Sequence, residues 1–207
     1  DFVRMFGLLC GQQADTGNSK VVEYTGSGEL ILGNTVLRHT GDSGSVYGLQ
    51  LNGKAKIYNT IIYDVYRGVN TYSYDILLNN LTVNNVSGQG VRAADNKTII
   101  KNTLVQNSGQ DAYSIFNGSW SGSDHNVSDD NTSTGGANDI TNVTAQFENP
   151  AGRDFHLSEN DTVAVDRGTS SLSQDFSLPA VVRNDIVFDI DGTARGAGYD
   201  AGADEWP

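Results

Sequence analysis

A phrase of apolar residues on either side of an asparagine recurs along the chain: ILGNTVLRHTG from Ile31, IYNTIIYDV from Ile57, LNNLTVNNVSG from Leu78 and IIKNTLVQNSG from Ile99. Aligned, the phrases put Asn34, Asn59, Asn80, Asn102 and, in HNVSDD, Asn126 in register, with steps of 25, 21, 22 and 24 residues. A period in this range marks a solenoid, in which no single unit can bury its own apolar face and successive units must stack. The apolar runs are strand-length, rich in Ile, Val and Leu, and broken by turn residues, and nowhere do they recur at helical spacing for three turns.

Stacked strands of this kind make a parallel β-helix, in which each coil lies about 4.8 Å above the last and equivalent residues fall into columns. The asparagine then has a reason. A sharp bend between two strands calls for left-handed backbone, which Asn tolerates, and stacked amides can hydrogen-bond along the column. The residues expected to point inward are Ile57, Ile76 or Leu78, and Ile100 before the bend, with Ile61, Val83 and Leu104 after it. Beyond that strand a glycine bend is expected at Gly41, Gly68, Gly88 and Gly109, followed by a second short strand. If Val46, Val69, Val91 and Ala112 point inward there, alternation turns Tyr47, Asn70, Arg92 and Tyr113 outward as one column.

That column is the main candidate for function. Tyrosine offers a flat apolar face for a sugar ring and a hydroxyl for its oxygens, while Arg and Asn bind hydroxyls or carboxylates. Tyr47, Asn70, Arg67 and Lys101 are candidate substrate-binding residues. Arg92, Tyr113 and Asp111 are candidate catalytic residues for a lyase, which needs a base beside the sugar C5 proton and a cation to neutralise the uronate. Asp95 and Asp111 are candidate Ca²⁺ ligands, Ca²⁺ being the one cofactor the sequence suggests.

Charge bears on the partners. The chain carries a formal charge of −12, with twenty Asp against five Glu. That field disfavours nucleic acid and anionic membrane, and suits a salty medium or Ca²⁺. No apolar run approaches the roughly 20 residues of a membrane helix, so no membrane insertion is expected. Cys10 is the single cysteine and forms no internal disulfide. The chain starts at Asp1 without a signal-peptide pattern, which suggests a processed chain or a piece of a larger one.

The repeat resembles the right-handed parallel β-helix proteins, the pectate-lyase-like group that includes pectate and alginate lyases, polygalacturonases and phage tailspikes. The tail, FENPAGRDFHLSENDTVAVDRG at 147–168 and DIDGTARGAGYDAGADEW at 189–206, is similar to the closing segment of secreted or surface-anchored bacterial β-helix proteins. It departs from them where Val163 replaces the usual Pro. The resemblance implies an all-β fold, a right-handed single-stranded parallel β-helix (solenoid) of about five to six coils with a C-terminal cap. The expected layout is one domain over 1–207: a first or truncated coil at 1–33, regular coils at 34–146, and C-terminal coils with cap at 147–207. Phe147, Phe155, Leu157, Val163, Val165, Phe188, Ile190 and Trp206 would form the cap. Asp189, Asp191, Asp200, Asp204 and Glu205 are expected in turns; as an EF-hand the run fails, because its twelfth place falls on Asp200. His156 is expected to be a structural donor.

Two functions remain open on these residues. One is an extracellular carbohydrate-associated β-helix, a polysaccharide lyase or glycoside hydrolase working on an acidic polysaccharide along the Arg92 face. The other is a non-catalytic glycan-binding, adhesin or structural module of a larger surface protein. Either implies an extracellular or cell-surface location and a polysaccharide or cell-surface glycan as partner, with the oligomeric state open.

Overall fold

Each coil is one long strand bent once at an asparagine, followed by one short strand that returns to the start of the next. The computed structural model describes residues 2–6, 9–10, 19–39, 45–72, 74–95, 97–170 and 185–206, with backbone alone for 2–6 and 9–10. Gly41, Asp42 and the side chain of Cys10 lie outside the described residues.

The strands are β1 (Phe2–Phe6), β2 (Leu9–Cys10), β3 (Lys20–Tyr24), β4 (Glu29–Arg38), β5 (Tyr47–Leu51), β6 (Lys54–Val65), β7 (Arg67–Thr71), β8 (Ile76–Val86), β9 (Val91–Ala93), β10 (Thr98–Lys101), β11 (Leu104–Ser108), β12 (Tyr113–Ile115), β13 (Val127–Ser128), β14 (Phe147–Asn149) and β15 (Asp154–Leu157). A long-stranded sheet runs β1-β4-β6-β8-β11-β13, and a short-stranded sheet runs β12-β9-β7-β5-β3. All pairings within these two sheets are parallel. The result is an all-β parallel solenoid of about four turns. That is fewer than the repeat count predicts, because the chain beyond Ser128 adds no further coil to either sheet.

The bends behave as the repeat requires. Asn34, Asn59, Asn80 and Asn102 have φ between 44° and 52°, the left-handed region. Their amides form a ladder: Asn59 donates to Asn34 at 3.0 Å, Asn80 to Asn59 at 3.2 Å and Asn102 to Asn80 at 3.0 Å. The threonine after the asparagine has its own task. The hydroxyls of Thr35, Thr60 and Thr103 donate back across the bend to the carbonyls of Gly33, Tyr58 and Lys101.

Asn126 is not the fifth rung. Leu104 pairs with Val127 and Lys101 bridges Asp124, so His125, with φ 59°, sits in register with Asn102. Asn126 lies one residue further on, accepting the Thr103 amide at 3.1 Å and donating to the Ile100 carbonyl at 3.0 Å.

Inside the coil, Leu32, Ile57, Leu78 and Ile100 stack before the bend and Leu37, Ile62, Val83 and Val105 after it, all fully buried. Ile61 and Leu104, expected inward, point outward. They form a second core with Tyr63, Val127, Phe147, Phe155 and Leu157. Burying each such side chain is worth about 1.5–3 kcal/mol, so beyond the bend the outer face of these strands is packed as well as the inner one.

The sealing element is the tail. Residues 129–146 close the end of the stack, where Ser128 and Ile140 exchange strand-like bonds with their neighbours. The β14–β15 hairpin and residues 185–206 then lie along the flank, not over the last coil as the expected cap would. Phe155 packs on Tyr63 at 4.9 Å and on Phe147 at 5.4 Å. Phe188 accepts from Asn59 through its carbonyl, Gly202 donates to the Asn102 carbonyl, and Ala203 donates to the Thr82 hydroxyl. Val163, Val165 and Ile190 join the second core in part, whereas Phe188 and Trp206 remain 41 % and 37 % exposed.

The tail's acidic residues are spent on it. Asp161 accepts the amides of Ala164 and Gln146, Asp189 those of Asp191 and Thr193, and Asp200 those of Asp166 and Trp206. Glu205 pairs with Arg195 at 3.0 Å, both side chains buried, and Arg195 reaches on to Asn59 at 3.2 Å. A buried pair of this kind holds position more than it adds stability, since removing one partner strands the other charge.

The ladder yields a direct expectation. Asn80→Ala removes two amide bonds and places a Cβ-bearing residue without a polar side chain at φ 52°, costing about 2–4 kcal/mol in urea unfolding. Asn80→Gly relieves the backbone and costs less; equal losses would mean that the conformation, not the ladder, is unimportant.

Candidate functional site

The short-stranded sheet carries the site, because on its outer face half-buried aromatic and cationic side chains meet over the buried Asn70. Its register differs from the expected column. Leu49, Val69, Val91 and Tyr113 align, and so do Gln50, Asn70, Arg92 and Ser114, while Tyr47 aligns with Lys20 and Arg67. Only Asn70 and Arg92 keep the expected neighbours. The reason is turn length: the link from β6 to β7 is the single residue Tyr66, whereas four residues, 87–90, join β8 to β9. Gly48, Gly68 and Gly90 each have the carbonyl of the next coil within 2.7 Å of where a Cβ would stand, and at Gly88 and Gly109 the Tyr66 and Ser87 carbonyls come within 2.8 Å. Gly88 and Gly109 belong to the links.

Asn70 is the centre of the face. Its carbonyl oxygen accepts from Arg67 at 3.3 Å and from Arg92 at 3.2 Å. Arg67 also donates to Gln89 at 2.8 Å. Its guanidinium lies 4.9 Å from the Tyr47 ring and 5.5 Å from the Tyr66 ring, and the two rings stack at 6.1 Å. Arg92 lies 5.7 Å from the ring of Phe116, which is 71 % exposed. Gln50 donates to Glu23 at 2.8 Å at the rim. Contacts of a guanidinium with aromatic faces fix its plane and leave its edge for a ligand. The face thus offers two oriented cations on an otherwise acidic chain.

Tyr113 does not belong to it. Its ring is buried at 4 % exposure, and its hydroxyl donates to the Thr103 carbonyl at 2.6 Å. Burial, followed by the charges of Asp139 and Asp130, pushes its pKa well above the ordinary value. Neither position nor acidity suits a base. Lys101 stands on the long-stranded sheet, in register with Asn79, away from Arg92. Asp95 accepts the Lys97 amide at 3.1 Å in a turn, and Asp111 is exposed. Among the described residues, neither joins a cluster of three side chains able to hold a metal.

Such a cluster does form in the tail, from His156, Asp191 and Asp204. His156 is clamped there between Asp154 on Nδ1 and Asp191 on Nε2, the latter at 2.6 Å. The Nδ1 bond stays within β15 and orients the ring, while the Nε2 bond ties β15 to the 189–192 turn, the structural task expected of this histidine. Burial lowers its pKa, but the bonds from Asp154 and Asp191 outweigh that and hold it at about 9. Asp204 is raised by burial to about 6, against the lowering effect of the Leu157 amide.

Gln50, Tyr66, Gln89 and Phe116 complete the face without any motif. Only their places beside Arg67, Asn70 and Arg92 reveal them.

No protein-family model, no curated protein and no solved structure matches the chain.

The clamp predicts a pH profile. His156 has a folded pKa above its unfolded value of 6.5, so its contribution is complete below about 6.5 and lost as pH rises through about 9. The melting temperature of the wild type should fall across that alkaline window, and His156→Gln should flatten the fall. A variant that keeps the full alkaline drop would show that other groups cause it.

Proposed function

We propose that the outer face of the short-stranded sheet binds an anionic polysaccharide or cell-surface glycan, and that the chain works outside the cell or on its surface as a glycan-binding module. The observation that carries this reading is the Arg67–Asn70–Arg92 group, with both guanidinium groups held against aromatic rings. Uronate or sulfate groups spaced along a glycan would meet two fixed cations, and the sugar rings would lie on Tyr47, Tyr66 and Phe116. Among the described residues, the tail packs on the bent strands and not on this face. The resemblance of the repeat to pectate-lyase-like β-helix proteins supports the same partner class.

Binding without bond cleavage fits better than a lyase or hydrolase. Of the expected catalytic group, Tyr113 is withdrawn into the core, which separates it from Arg92. Asp111 is exposed but holds no position against Arg92 that its neighbours define.

Titration with alginate, pectate, chondroitin sulfate and a neutral glucan, with and without Ca²⁺, tests the reading by affinity and by absorbance of new double bonds. Binding of at least one anionic polymer is expected. Arg92→Ala and Arg67→Ala should each weaken it by about tenfold, an energy of about 1.4 kcal/mol. Tyr113→Phe should leave it unchanged while destabilising the fold by about 1–2 kcal/mol, since two buried carbonyls lose a donor. Wild-type affinity in both arginine variants sinks the site, and unsaturated product would restore catalysis.

A further inference from the structure

Where the bent strands end, just before the links to the short-stranded sheet, stands a second left-handed column: Asp64, Asn85 and Asn107, with φ of 54°, 51° and 56°. They stand on successive coils, because Tyr63 pairs with Asn84 and Asn84 with Gln106. Together with Asn84 and the Pro150–Arg153 turn they line a cavity of about 320 Å³, at the lower end of the range of small-molecule sites, about 300–1,000 Å³.

The chemistry of the lining is specific. Asp64, its one carboxylate, is neutralised within the cavity: Arg153 donates to Oδ2 at 2.7 Å and Asn85 to Oδ1 at 2.7 Å. Asn107 donates to Asn84 at 2.7 Å. What faces the opening is amide, from Asn85 and Asn107, both exposed. An amide presents an acceptor and donors side by side, the pattern that vicinal hydroxyls satisfy. With its charges already paired, the cavity gives no reason to select an ion over a neutral molecule.

We propose that this cavity is a second binding site, for a neutral hydroxyl-rich ligand such as a single hexose or the end of a neutral glycan. It is separate from the arginine face: the column lies on the long-stranded sheet, and Arg153 and Pro150 come from the tail. A sugar here would take hydrogen bonds from Asn85 and Asn107 while lying against Pro150 and Ala151.

Saturation-transfer NMR and calorimetry of the full chain with glucose, galactose, mannose, N-acetylglucosamine and their disaccharides provide the test. At least one should bind. Asn85→Gly with Asn107→Gly removes both amides while keeping a residue suited to positive φ, and should weaken binding by about tenfold or more. Ala151→Phe, on an exposed turn, should block the cavity without touching the columns. Arg92→Ala should leave neutral-sugar affinity unchanged, which separates this site from the arginine face. No binding by any neutral sugar overturns the proposal. So does binding that survives both cavity variants, or that is lost in Arg92→Ala.

Discussion

The asparagine ladder is the constraint on which the rest depends. A parallel strand cannot turn sharply within one coil unless a residue accepts left-handed backbone, and a column of such residues is stable only if their polar side chains are satisfied. Asn34, Asn59, Asn80 and Asn102 meet both demands, each amide binding the next. Because the bend recurs at one height in every coil, apolar residues before and after it stack into a continuous core. Because this column is buried, the amide groups that the ladder leaves over need partners from whatever covers it. The tail supplies that cover with the Phe188 and Thr169 carbonyls and the Arg195 guanidinium.

The covering strap explains the tail's unusual composition. A segment with little regular structure needs many backbone amides capped, and buried aspartates do this: Asp161, Asp189, Asp200 and Asp204 each accept from at least one main-chain N–H. The same count of acids that at first suggests Ca²⁺ is here a framework of turns. Burying them has a cost that the fold shows openly, since Asp200 and Asp204 are both raised to about 6, burial leading in each case. Arg195 and His156 offset that cost locally.

Covering one flank also decides where a ligand can go. Among the described residues, the tail packs on the bent strands and not on the short-stranded sheet, whose arginines are held by Asn70 and by aromatic rings. Cations ordered in this way bind anionic groups with little loss of side-chain freedom. Where the bent strands end, Asp64, Asn85 and Asn107 meet the Pro150–Arg153 turn of the tail, with the Asn85 and Asn107 amides exposed.

Much of the architecture was legible in the residues themselves. The 21- and 22-residue steps, the asparagines and the strand-length apolar runs determine a parallel solenoid, because a bend that needs one residue type at one place writes a period into the chain. Asn70 and Arg92 were correctly paired for the same reason, being one full coil apart. What failed was register across turns of unequal length. Tyr47 aligns with Arg67, Tyr113 turns inward, and His125 displaces Asn126, since a one-residue slip reverses the face of every side chain. Ile61 and Leu104 are apolar whichever way they point, so their composition could not reveal that a second core lies outside the coil. Only the tertiary structure decided that, by laying a distant tail along the flank.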